Sequence, residues 1–83
     1  MVIRRKVKKV IDGDTFQTHH KINGSNYVRI AGKNAPEKHQ FGGKQATQKL
    51  KRKIGGKIVT LQPVGRSYGR VVAKVRHKRR LIR

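Results

Sequence analysis

The sequence predicts a mainly β domain: five short strands closed into an OB-type barrel, with one helix between the third strand and the fourth. Three observations predict it. Apolar residues alternate with basic or polar ones in five short runs separated by turn residues. Between the third and fourth runs, apolar residues recur every four positions instead. The resulting order of three strands, one helix and two strands is the layout of an OB-type barrel.

Each element follows from its residues. Val2 to Ile11 reads as a strand with basic residues interleaved, and Asp12-Gly13-Asp14-Thr15 as a turn. Thr15 to Ile22 is the second strand. Asn23-Gly24 supplies a two-residue hairpin, because both residues tolerate positive φ. Asn26 to Ala31 is the third strand, and Gly32 to Gly43 a loop around Pro36. Lys44 to Ile54 reads as a helix with Ala46, Leu50 and Ile54 on one face, stopped by Gly55-Gly56. Lys57 to Leu61 is the fourth strand, ended by Pro63. Gly65 to Gly69 is a loop, and Arg70 to Val75 the fifth strand. Arg76-His77-Lys78-Arg79-Arg80 is a charge cluster opening a basic C-terminal tail over 76–83.

The chain has 83 residues, 34% of them apolar, which fits one domain over 1–83 with one core. It carries 23 Lys and Arg against 3 Asp and Glu, a formal charge of +20. Self-repulsion at that charge opposes a compact state, and a polyanion relieves it. Nucleic acid is the expected partner. A membrane is not expected: no apolar run approaches the roughly 20 residues of a span, and the chain has no Trp and only 2 Phe to anchor an amphipathic helix. The start, Met1-Val2-Ile3-Arg4-Arg5-Lys6, lacks the apolar core of a signal peptide, so a cytoplasmic location is expected. Cysteine is absent, which excludes disulfides and cysteine zinc sites.

Three stretches stand out together: Val10-Ile11-Asp12-Gly13-Asp14-Thr15, then Val28-Arg29-Ile30-Ala31-Gly32-Lys33-Asn34-Ala35-Pro36-Glu37, then Tyr68-Gly69-Arg70. In order and spacing, with the helix between the second and third, they resemble the staphylococcal-nuclease-like (thermonuclease) family, from about Val7 to Val75. The family has an OB barrel and comprises calcium-dependent phosphodiesterases that cut DNA and RNA. The resemblance implies a calcium-ligating carboxylate at Asp14 and the residue that activates water at Glu37. It implies that Arg29 and Arg70 grip the scissile phosphate, a task suited to bidentate guanidinium donors.

Three departures accompany it. The family's second calcium-ligating Asp falls at Asn34, which offers a neutral oxygen, whereas ligand charge tunes calcium affinity. Lys33 stands where the family has an apolar residue, and Arg66 where it has an Asp. The C-terminal helices of family nucleases do not follow the fifth strand. The only acids, Asp12, Asp14 and Glu37, all fall in the family motifs. Two roles are open to them: catalysis, or shaping the strand–turn–strand junction and pairing with Arg29 or Arg70.

The basic residues expected to touch nucleic acid are Lys44, Lys49, Lys51, Arg52 and Lys53 on the helix and Lys33, Arg66 and Arg70 around the motifs. Arg76, Lys78, Arg79 and Arg80 extend the set into the tail. Phe16 and Tyr27 are expected in the core, while Tyr68, beside Gly69 and Arg70, is expected to face the partner. His19 and His20 are neighbours on a strand and point to opposite faces, so they cannot chelate together. Positive charge on many faces suits a protein set among several phosphate backbones. The expected function is therefore a nucleic-acid-binding barrel, with RNA favoured over DNA, as in a ribosomal protein beside rRNA and neighbouring ribosomal proteins, and no cofactor. The alternative is a small nuclease using Ca2+.

Overall fold

Alternation of buried and exposed residues builds the sheet. The computed structural model describes residues 2–36 and 39–82. Its strands are β1 (Ile3–Asp12), β2 (Thr15–Ile22), β3 (Ser25–Ile30), β4 (Ile58–Ser67), β5 (Arg70–His77) and β6 (Arg80–Ile82), with the helix α1 (Gly43–Ile54) between β3 and β4. The strands pair in the order β3-β2-β1-β4-β5-β6, and a parallel pairing of β3 with β5 closes β1 to β5 into a barrel. This is the mainly β, five-stranded barrel with one helix that the sequence predicts.

Inside the barrel Val7, Phe16, Ile22, Val28, Ile30, Val59, Leu61, Val71, Ala73 and Val75 are buried, and Leu50 and Ile54 of α1 join them. Fully burying each larger side chain is worth about 1.5–3 kcal/mol. Tyr27 is the exception to the expected core. It is 43% exposed, because Val28 and Ile30 point inward and the pleat turns Tyr27 and Arg29 outward.

Asn23 and Gly24 both take positive φ, 49° and 83°, and make the expected two-residue hairpin between β2 and β3. The β4 strand runs through Pro63 to Ser67, beyond the end expected for it. It accommodates the missing N–H with a register shift between Pro63 and Gly65 against β5. The charge cluster also folds back. Lys78 and Arg79 turn with φ of 50° and 67°, β6 pairs with β5, and Ile82 is buried, so residues 80–82 form a strand where the sequence suggested a tail.

The buried line of α1 is Gly43, Thr47, Leu50 and Ile54 rather than Ala46, Leu50 and Ile54. Burial of Thr47 is affordable because its hydroxyl donates to the Gly43 carbonyl at 2.8 Å. Gly55 ends the helix by donating to the Lys51 carbonyl at 2.8 Å, and Gly56 follows at a φ of 70°. Ala46 packs instead toward Gly13, in the turn between β1 and β2.

That contact ties the helix to the turn. A Cβ on Gly13 would lie 2.5 Å from the Ala35 Cβ and 2.7 Å from the Ala46 Cβ. Gly13→Ala should therefore destabilise the protein by about 1–3 kcal/mol through overpacking, seen as a lower urea midpoint. An unchanged midpoint would show that turn, loop and helix are not packed this closely.

Candidate nucleic-acid interface

The turn between β1 and β2 is built around two aspartates. The Asp12 carboxylate accepts the Asp14 N–H at 3.2 Å, an Asx-type turn that holds the chain at its sharpest point. This turns Asp14 inward, where it is 8% exposed. One Asp14 oxygen accepts the Thr15 hydroxyl at 3.0 Å, and the other accepts the Ala35 N–H at 3.3 Å from the loop after β3. The Asp14 carbonyl accepts the Ile30 N–H at 2.8 Å. One residue thus joins the turn, the end of β3 and the loop beyond it.

Two arginines converge on this unit. Arg29, opposite Thr15 in the β2–β3 register, lies 3.6 Å from the Asp14 carboxylate and donates to the Asn34 side-chain oxygen at 2.7 Å. Arg70, at the start of β5, donates to the Thr15 hydroxyl at 3.3 Å. Thr15 therefore accepts from Arg70 while donating to Asp14, and links the two arginines through one carboxylate. The parallel pairing of β3 with β5 brings the two strands together and makes this possible.

The electrostatics follow from these contacts. Burial acts to raise the Asp14 pKa, but Asp12, which takes a proton shared between the two side chains in preference to Asp14, the hydrogen bonds donated by the Ala35 N–H and the Thr15 hydroxyl, and the Arg29 charge together hold it below the usual carboxylate value. Asp12 moves the other way, raised by burial and by sharing a site with Asp14. Lys33 is held below the usual lysine value by burial and then by Lys53 and Lys49 of α1.

The structure thus assembles Asp14, Asn34, Arg29 and Arg70 at one place, with Lys33, Lys49 and Lys53 forming a neighbouring basic face. Glu37 lies outside the described residues. The other basic residues are dispersed. Lys44 and Lys51 turn toward β1. Arg52 and Arg80 line a 290 Å³ cleft with Lys53, Lys57 and His77. Arg66 donates to the Asn23 carbonyl at 3.0 Å. Arg76, Lys78 and Arg79 lie on the β5–β6 hairpin. Tyr68 stands 95% exposed at the β4–β5 turn, with Gly69 accepting from the Ser25 hydroxyl. Thr15 and the Ala35 N–H are the members that sequence reasoning left out. Thr15 lies within the Asp12–Thr15 motif, but a backbone donor leaves no trace in residue identity.

A depressed pKa makes Asp14 a stabilising charge. Its contribution is present above the ordinary carboxylate value, near pH 4, and is lost as pH falls through the lower folded value. Asp14→Asn should be less stable than the wild type at pH 7, and the two thermal midpoints should draw together as pH falls from about 4 toward 2. A gap that stays constant over that range would remove the ionised carboxylate from this account.

No family model matches the chain. It is similar to two curated proteins, each named an uncharacterized endonuclease, from Escherichia coli and Escherichia coli O157:H7. Each is 34% identical over 74 residues, covering 88% of this chain and 48% of the relative. The chain thus spans about half the length of the curated relatives it matches.

Proposed function

We propose that the chain is a nucleic-acid-binding barrel of the nuclease-like kind, in which Arg29 and Arg70 seat a backbone phosphate. The observation that carries this reading is their convergence on the Asp14–Thr15 unit. Two guanidinium groups, held from different strands and joined through one carboxylate, make a cationic seat whose donors are placed before a ligand arrives. The similarity to endonuclease-named relatives supports both the family and a phosphodiester ligand.

Binding without cleavage is the reading we favour. The two side-chain oxygens that the resemblance gives to calcium both face Arg29, and only Asp14 carries a charge. We read Asp14 and Asn34 as a weak pair of donors for calcium, which takes six to eight oxygen ligands and binds more tightly as their charge rises. Lys33 adds a further positive charge beside Asn34. Basic residues occur on β1, β3, α1, β5 and the β5–β6 hairpin, a spread that suits a protein packed among several phosphate strands. An RNA-rich particle of the ribosomal kind is such a setting, and RNA is the polyanion we favour on that ground. The second reading is a calcium-dependent phosphodiesterase, favoured by the name its relatives carry and by the Asp14–Arg29–Arg70 arrangement.

The experiment titrates single-stranded RNA and DNA of equal length in excess chelator, across salt. If six to ten phosphates are contacted, affinity should fall about 10³–10⁵-fold between roughly 50 and 200 mM salt. Arg29→Gln with Arg70→Gln should weaken binding further at every salt concentration. Cleavage with calcium is then measured for the wild type, Asn34→Asp and Glu37→Gln. Little wild-type cleavage, raised by Asn34→Asp, supports the binding reading. A flat salt titration would sink nucleic-acid binding, and robust wild-type cleavage lost in Glu37→Gln would make the chain an enzyme.

A further inference from the structure

The helix α1 has basic residues on both flanks of its buried line. At 100° per residue, Lys49 and Lys53 lie roughly 150° around the helix from Lys44, Gln48 and Lys51. The first flank is the one whose charges, Lys53 and Lys49, act on Lys33. The second faces toward β1.

There β1 departs from regular pleating. Between Val7, which pairs with Thr18, and Lys9, which pairs with Gln17, the strand carries one extra residue. A regular strand would alternate from Val7 inward to Lys8 outward and Lys9 inward. The bulge instead leaves Val7 and Val10 both buried and exposes Lys8 and Lys9 together. These two lysines and the Lys44–Lys51 flank of α1 line opposite sides of a groove of about 550 Å³, floored by Val10 and Thr47. Gln48 adds a neutral donor and acceptor, and Gly55 and Gly56 leave one end without side chains.

The groove has no acid in its lining, and the acids among the described residues, Asp12 and Asp14, are engaged in the turn. Four lysines face one space with no acid among the described residues that line it. Lysine ammonium groups suit phosphate as mobile point charges and impose no base preference. None of the groove residues belongs to the Arg29–Arg70 site.

We propose that the groove between β1 and α1 is a second phosphate-binding site, so that one molecule holds two nucleic-acid strands, one on each side of α1. This rests on the proposed function at the arginine site and goes beyond it, since a single seated strand needs only one flank of the helix.

The test counts strands. A single-stranded oligonucleotide of about three nucleotides spans roughly 10 Å at a stacked rise of about 3.4 Å, no more than the width of α1 with its side chains, so one copy engages one flank at a time. Its stoichiometry is measured by titration calorimetry and native mass spectrometry at near-physiological salt. Donor- and acceptor-labelled copies report on bridging by energy transfer. The wild type should bind two copies and give energy transfer. The variant Lys8→Gln, Lys44→Gln, Lys51→Gln changes exposed residues only. It should bind one copy, lose energy transfer and keep the wild-type unfolding midpoint or exceed it. The variant Arg29→Gln, Arg70→Gln should also fall to one copy, while retaining the groove site. Two copies retained by the lysine variant, or one copy bound by the wild type, would overturn the second site and leave the proposed function standing. No binding by any form would overturn both.

Discussion

Asp14 sits where three segments meet, and its buried carboxylate holds them in place. It accepts from Thr15 within β2 and from the Ala35 N–H in the loop after β3, and it pairs with Arg29 on β3. Without it the Arg29 guanidinium would lose its ionic partner, and the Ala35 N–H would lose its acceptor. An unpaired group of either kind is costly in a partly buried place. The barrel closure depends on the same corner, because the β3–β5 pairing begins one residue before Arg29, at Val28. A single ionised oxygen pair thus supports both the fold at this end and the spacing of the two arginines.

That corner matters more in this chain than it would in a neutral one. With +20 formal charge, most interactions between side-chain charges are repulsive. The Arg29–Asp14 ion pair is therefore an attraction set against a broad field of like charge. The hydrophobic barrel carries the stability, and the acids among the described residues, Asp12 and Asp14, sit at the turn. Lys33 shows the consequence: burial and the lysines of α1 hold it below its usual pKa. A phosphate arriving beside Lys33 would offset part of that repulsion.

Much of this was legible in the sequence, for identifiable reasons. The Asn23-Gly24 hairpin was visible because few dipeptides tolerate two positive φ angles. The helix was visible from Leu50, Ile54 and the Gly55-Gly56 stop. The convergence of Arg29 and Arg70 was legible only through resemblance, since it depends on a parallel pairing between strands more than forty residues apart. What stayed hidden was tertiary. Thr47 reads as polar until its hydroxyl finds the Gly43 carbonyl. Arg80 to Ile82 read as tail because a three-residue strand carries too little pattern to see. The bulge at Lys8 has no sequence signal, since consecutive lysines look like any charged run.

The most direct measurement follows the arginine side chains themselves. With ¹⁵N-labelled arginine, the Nε–Hε resonances are recorded while a short single-stranded oligonucleotide is added in excess chelator. The account predicts that Arg29 and Arg70 shift together and saturate at one oligonucleotide concentration, without any metal. Resonances of these two that stay fixed while other arginines move would place the nucleic acid elsewhere and contradict it.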